Sequence, residues 1–498
     1  MTEESKWKRA LKSRLLLKPP VLSDPRLLKT STKAIILFSL ALCACTSGFS
    51  STIYFPGLPA ITTDLNAPPI ATTLTAALFV LAMGIAPVFW ASLSDFYQVR
   101  RILLMFSMLI FGAASIGSAF INNIWGLVVL RCVQSVGSSC GQSVGAGVIA
   151  DCYPIETRGA AFGKFFFGVF FGPLLGPIIG GFLIMSPLSW RATFWFCFAF
   201  ALSIFTFLFF LFPETYRQHD KYDLELPTTK DSSSSTSSDT LNKAEQSDST
   251  AIEKNEKNET VDKSDENTVT PVPAKRRIDP FAAFYLLRHP FIFLSAVISG
   301  IAFGCMFAVE TIIPGLYETN YGFNSWQTGL SYLGAGVGNL LGSILGGMLS
   351  DRLLLRSRKL RGGRAVVEDR LTANLWPCCF IFIPFGILLF GWSIAYRLTV
   401  WVPIIAFGIQ TFGMNQVMTA SSAYLVDAMP SQGASATAAA NLVRMLLACA
   451  LTLAANPMVS AIGPGYTCVF LAALSVIACV FLVVLKYKGE KLRAWSGF

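Results

Sequence analysis

The stretch from Gly168 to Gly181, GVFFGPLLGPIIGG, sets glycine at 168, 172, 176 and 180, every fourth residue, with Pro173 and Pro177 beside two of them. Residues four apart share one face of a helix, so this segment forms a helix with a bare backbone ridge. Its other positions are Val, Phe, Leu, Ile and Pro, which leaves no polar face to turn toward water. Such a helix belongs in a bilayer, where small residues let two backbones approach closely. A second ridge with the same period lies at Gly334, Gly338, Gly342 and Gly346. One ridge stands in each half of the chain. The match suggests that they face each other, Gly172 and Gly176 near Gly338 and Gly342, along a seam where the halves slide.

The chain around these ridges has 498 residues, 53% of them hydrophobic and 14% charged, with 41 phenylalanines and a mean hydropathy of +0.56. A soluble core cannot hide that much apolar surface, so the excess faces lipid. Apolar runs fall near 34–55, 71–91, 102–121, 123–150, 160–184 and 190–212, and again near 290–316, 328–349, 372–395, 398–425, 434–460 and 465–485. Each approaches the ~20 residues a helix needs to cross a bilayer. The expected fold is therefore an all-α integral membrane protein: twelve transmembrane helices in two pseudo-symmetric six-helix bundles. The expected division is a basic tail at 1–33, an N-terminal bundle at 34–213, a linker at 214–288, a C-terminal bundle at 289–486 and a tail at 487–498. The middle of the linker is rich in Ser, Thr, Asn, Asp, Glu and Lys, and such a composition does not order itself.

Lys and Arg outnumber Asp and Glu, 39 to 29. In a soluble chain this would suggest nucleic acid; here the charges crowd between apolar runs and report topology instead. Nine basic residues precede the first run, and seven (Arg352, Arg356, Arg358, Lys359, Arg361, Arg364, Arg370) fill the loop after the eighth. The alternate loops hold only Arg191 and Arg397. Both termini and the linker are thus expected in the cytoplasm. The halves also echo each other: Asp95 follows the second run and Asp351-Arg352 follows the eighth, the internal symmetry common in transporters.

Several function classes leave no trace. No phosphate-binding loop, His-Glu-x2-His or Cys-x2-Cys-His pattern occurs, and the two histidines, His219 and His289, lie outside the apolar runs. The twelve cysteines have irregular spacing inside apolar runs, as packing residues do. No enzyme activity, cofactor, metal site or nucleic-acid partner is expected.

Charges inside lipid cost roughly 2.5–3.5 kcal/mol on insertion scales, so each calls for a reason. Arg131 heads a polar stripe of Gln134, Ser135, Ser138 and Gln142 on one face of the fourth run, and a cavity-facing arginine is favoured over a snorkelling one. Arg444 shares a face with Thr437 and Asn441 in the eleventh run; the tenth offers Thr411, Asn415, Thr419 and Ser422; the first offers Ser47, Ser50, Ser51 and Tyr54. Several helices thus turn polar stripes toward a common interior, most simply a water-filled cavity. Glu310 shares a face with Phe303 and Phe307, a setting suited to an organic cation or a carried proton. It also lies near the end of its run, where a solvated interfacial carboxylate is the alternative.

These features resemble the major facilitator superfamily, and within it the fungal drug:proton antiporters with twelve spans, over roughly 34–485. Ser51-Thr-Ile-Tyr-Phe-Pro-Gly-Leu-Pro-Ala60 resembles the group's signature at the end of helix 1. Arg131, Gln134 and Gly137 resemble its helix 4 arginine motif, and Gly168 through Gly181 its helix 5 antiporter motif. Trp190-Arg191, Pro213-Glu214-Thr215 and Gly433-Ala-Ser-Ala-Thr with Asn441 and Arg444 also fit. The loop after helix 2 departs: Asp95, Arg100 and Arg101 are present, but Ala91, Gln98 and Val99 replace expected Gly, Gly and Arg. Within the group the chain resembles the quinidine-resistance, dityrosine and polyamine exporters.

The resemblance implies a monomer in the lipid bilayer that exchanges a small organic substrate for protons by alternating access. Arg131, Asp95, Arg100, Arg101, Asp351 and Arg352 would serve coupling and gating. Tyr54, Gln134, Ser138, Phe303, Phe307, Glu310, Asn415, Asn441 and Arg444 would line the cavity. Gly168, Gly172, Pro173, Gly176, Pro177, Gly180 and Gly181 form the antiporter motif. The plasma membrane is expected, the vacuolar membrane being the alternative. An importer of the same fold and a non-transporting sensor are the competing readings; Pro213-Glu214-Thr215-Tyr216-Arg217 fits a sugar porter poorly, and the short C-terminal tail fits a sensor poorly.

Overall fold

The computed structural model describes residues 24–153, 155–217, 285–360, 367–371, 375–429 and 433–496; some side chains within them, Asp351 among these, lie outside the described set. Most of the N-terminal tail and the linker also lie outside it. In the first half α1 is Thr30–Thr52, α2 Pro69–Tyr97, α3 Arg101–Phe120, α4 Ile124–Cys152, α5 Ile155–Ile184 and α6 Arg191–Leu211. In the second half α7 is Pro290–Tyr321 and α8 Leu333–Leu360. Helix α9 is Ile383–Ala395, led in by a π-helical turn at Cys378–Phe382, and α10 is Trp401–Ala428. A continuous helical stretch, Gly433–Trp495, breaks at Gly463 into α11 (433–462) and α12 (464–495). Gly463 has φ +81°, a left-handed conformation that glycine adopts without a Cβ clash, and Pro464 opens the next helix without needing its missing N–H.

Eight helical stretches among the described residues are long and apolar enough to cross a membrane on composition alone, the α11–α12 pair counting as one. The three spans that fall short have a reason. Helices α4 and α10 carry the polar stripes, and α8 carries glycines and a charged end. Low apolarity thus marks the helices that line the interior.

Helix pairing repeats between the halves. Helix α1 packs on α5 and α2 on α4; six helices later, α7 packs on α11 and α8 on α10. This is the two-fold pseudo-symmetry expected from the sequence.

The glycine ridges do not meet each other. A Cβ on Gly172 would lie 2.7 Å from the Phe49 amide nitrogen, while Gly168 faces Ala41 and Gly176 faces Thr52, all on α1. In the second half Gly334, Gly338 and Gly342 face Ile404, Gly408 and Phe412 on α10. Each ridge therefore cements its own half. Gly172 does not approach Gly338. Helices α5 and α8 do touch across the halves, but through other faces: Gly181 and Pro177 lie against Gly329 in the short helix Ser325–Ser331, and Leu174 lies against Gly336. Period four locates a ridge on its own helix; it carries no information about which neighbour fills the groove.

With twelve spans both termini lie at one end of the bundle, the near end. Among the described residues, contacts between the halves lie at the far end and the middle. Asn456 Nδ2 of α11 donates to Thr73 Oγ1 of α2 at 2.8 Å. The Phe55 and Tyr332 rings stack at 6.4 Å, and Phe182 and Trp326 at 6.2 Å. Gly84, midway along α2, receives Met445 of α11.

Candidate functional site

Arg131 sits on α4 about 11 Å from the far end, at 1.5 Å per residue, and is fully buried. Its guanidinium is clamped between the Tyr54 ring at 4.0 Å and the Phe79 ring at 4.1 Å. Its Nη1 donates to Gln134 Oε1 at 2.6 Å, to the Ser50 carbonyl at 3.1 Å and to Ser50 Oγ at 3.3 Å. Nε and Nη2 have no hydrogen-bond partner, and no carboxylate pairs with this arginine. Desolvated cation–π contacts of this kind contribute about 2 kcal/mol. The expected open, cavity-facing arginine is instead sealed by aromatic rings from α2 and the end of α1.

The stripe below Arg131 is largely consumed by bonds within the half. Gln134 donates to Ser115 of α3, Ser135 to the Phe79 carbonyl of α2, and Gln142 to Ser47 of α1. Ser138 bonds back to the Ser135 carbonyl of its own helix. The face expected to be wet is thus mostly interhelical glue.

Glu310 is 3% exposed, so the solvated interfacial reading does not hold. The cause is helix length: α7 continues to Tyr321, beyond the apolar run, which places Glu310 about 16 Å from the far end. Its Oε2 has no partner. Phe303 and Phe307 pack together one and two turns below, with ring centroids 4.9 Å apart. The Tyr332 hydroxyl donates to the Glu310 backbone carbonyl at 2.6 Å.

Arg444, on α11, is 8% exposed. Its Nη1 contacts the Met418 sulfur at 3.2 Å and its Nε has no partner. Asn415 donates to Asn339 Oδ1 of α8 at 2.7 Å, and Thr411 to the Ala335 carbonyl, so α10 uses these polar groups to hold α8. Asn441, by contrast, is half-exposed, as are Thr437, Met418, Thr419 and Ser422, and Gln142 and Ser143 across on α4. All seven lie on the near-end halves of their helices. Elsewhere the exposed surface of the spans is mostly apolar, as at Phe385, Ile405 and Leu446, with polar exceptions such as Lys164, Ser203 and Thr206. The seven half-exposed positions cluster toward the near end, whereas the described contacts between the halves lie at the far end and the middle.

At the near end a charge network fastens the first half. Arg100 pairs with Asp95 at 3.0 Å and with Asp151 at 3.1 Å, and its guanidinium lies over the Tyr216 ring. The backbone N–H groups of Arg100 and Arg101, at the start of α3, donate to the Glu214 carboxylate at 2.9 and 3.2 Å. A carboxylate at a helix N-terminus satisfies otherwise orphaned amides. Arg101 Nη2 donates to the Phe209 carbonyl. The network that the departures at Ala91, Gln98 and Val99 put in question is therefore assembled, with Asp151 and Glu214 supplying the acids. In the second half Arg352 is exposed, and in the loop after α8 Glu368 takes Arg493 on both oxygens at 2.8 Å. Asp151, Glu214 and Glu368 escape sequence reasoning because their partners lie 51 to 125 residues away.

Comparison with known proteins agrees with this architecture. The sequence profile of the Major Facilitator Superfamily matches residues 40–453. The chain belongs to the major facilitator superfamily. As a member it is a transporter-fold membrane protein, and it is similar to the MFS antiporter QDR3 of Candida albicans, 28% identical over 98% of this chain and 82% of that one. It is also similar to Citrate exporter 1 of Aspergillus niger, 29% identical over 91% of this chain and 85% of that one. Among solved structures the fold matches a bacterial homologue of the human lysosomal transporter Spinster, crystallised inward-facing and unoccupied. That match has a TM-score of 0.64 and 16% identity, and covers 94% of this chain and 99% of the other. The expected superfamily, its twelve-span fold and the likeness to fungal antiporters hold.

Proposed function

We propose that this chain is a proton-coupled antiporter that exports small organic compounds by alternating access, with both termini and the linker in the cytoplasm and the plasma membrane as its site. The observation that carries the reading is a difference between the two ends of the bundle. Charged groups stand well inside the spans in both halves, the described contacts between the halves lie at the far end and the middle, and half-exposed polar positions cluster toward the near end. With the termini in the cytoplasm, this is the pattern of a carrier open to the cytosol, the state in which an exporter loads.

Arg131 and the Asp95–Arg100–Arg101 cluster, with Asp351 and Arg352 at the corresponding place, serve coupling and gating in this reading. Arg131 is a fixed charge that biases a proton site nearby, and Glu310 is the buried carboxyl able to take and release that proton. Asn441 and Arg444 face the loading side, and Tyr54, Gln134, Ser138, Phe303, Phe307 and Asn415 shape the walls around them. The names of similar antiporters and exporters favour export over import.

The test compares compounds released by cells that lack the protein, overexpress it, or carry Arg131→Ala, with and without a protonophore. Release of at least one compound should rise on overexpression and collapse with the protonophore. Arg131→Ala should match the deletion while remaining in the membrane. Release indifferent to the protonophore would remove proton coupling; no compound depending on the protein would remove export.

A further inference from the structure

Among the buried charged side chains of the described residues, three stand well inside a span: Arg131, Arg444 and Glu310. A guanidinium stays protonated in proteins, so the interior carries two fixed cations against one carboxylate. The two arginines are not equivalent. Arg131 is fully enclosed and held by Ser50 and Gln134. Arg444 is more than nine-tenths buried, yet its single contact is the Met418 thioether, a weak acceptor. Its Nε is unsatisfied, and no carboxylate pairs with it. Gly300 on α7 lets the backbone of α11 approach at Arg444, so the residue is held in place from behind.

A buried, unpaired guanidinium is costly unless something pairs with it for part of the cycle. Asn441, one turn away on α11, and Met418 of α10, which Arg444 contacts, are half-exposed. We infer that Arg444 is the anion-binding residue of the loading site, and that the compound carried is an organic carboxylate rather than a polyamine or other organic cation. The inference rests on the exporter reading above and adds the substrate class to it. The planar guanidinium fork matches a carboxylate, and Asn441 supplies an amide donor one turn from it. A cation entering the same site would meet a net positive interior.

The test is equilibrium binding to the purified full chain in detergent, read as thermal stabilisation, with benzoate, succinate and spermidine as probes. At least one of the carboxylates should stabilise the wild type in a saturable way, and spermidine should not. Arg444→Gln should weaken that carboxylate about tenfold or more, the loss of one charge-assisted pair, with the unliganded melting temperature unchanged. Arg444→Lys, which keeps the charge without the fork, should fall between. Stabilisation by spermidine, stabilisation by neither carboxylate, or carboxylate binding undiminished in Arg444→Gln would each overturn the inference. Binding needs no gradient, so a chain that binds a carboxylate through Arg444 but shows no protonophore-sensitive release would fail the exporter reading and keep the anion site.

Discussion

Arg131 and Arg444 are the arginines buried well inside the spans of the two halves, and they differ in what the protein places around them. The first has two rings, two side-chain acceptors and a backbone carbonyl around it; the second has one sulfur. A charge held by three oxygens and two rings of its own half works as part of the framework, even with its Nε and Nη2 unpartnered. A charge left short of partners, next to half-exposed polar groups, works on something that comes and goes. The pseudo-symmetric fold thus places a fixed cation in one half and an available one in the other.

The largest contrast between the halves is expected at two glycines. Gly172→Leu drives a side chain into Cys45 and Phe49 of α1, whereas Gly315 in α7 has nothing within 4 Å of an added Cβ. Gly172→Leu should abolish accumulation of folded protein and Gly315→Leu should leave it near wild type, as judged by monodisperse yield in detergent. Equal yields would mean that α1 and α5 are not packed as described.

The arginines come next. Arg131→Ala removes the cation between Tyr54 and Phe79 and leaves Gln134 and Ser50 without their donor, and should cost about 2–4 kcal/mol of stability along with export. Arg444→Ala removes a charge that the folded protein barely compensates, so its thermal stability should equal or exceed wild type. Matched melting temperatures for the two variants would erase the distinction drawn between the halves. At Glu310, Glu310→Gln keeps the shape and deletes the titratable proton. It should leave ligand stabilisation intact and release no longer sensitive to a protonophore; unchanged protonophore sensitivity would move the proton site elsewhere.

The smallest effect belongs to the near end. Glu214→Gln weakens the acceptor for the two amides that open α3 and should cost about 0.5–2 kcal/mol, the range of a helix cap. A similar loss is expected from Glu368→Gln in the other half, where Arg493 loses its ion pair.

Much of this was legible in the sequence. Twelve spans follow from apolar runs, because every backbone group in lipid must be satisfied by a helix. The polar faces of α4, α10 and α11 follow from residue spacing, since period fixes which side chains share a face. Partner identity does not follow. The ridge of Gly168, Gly172 and Gly176 looks the same in sequence whether α1 or α8 lies against it. Asp151 and Glu214 look like ordinary loop-end acids until the fold brings them to Arg100. Glu310 lies deeper than its place near the end of the apolar run implies, because α7 continues through Tyr317 to Tyr321.

The central claim is exchange of a compound for protons in opposite directions. Purified protein in liposomes with a trapped pH-sensitive dye tests it directly, using a membrane-impermeant compound whose release depends on the chain. Added outside without an imposed pH gradient, the compound flows inward down its own gradient. Antiport requires protons to leave, so the account predicts a rise of interior pH in wild-type liposomes and none with Arg131→Ala. Compound entry with interior pH constant or falling would contradict it.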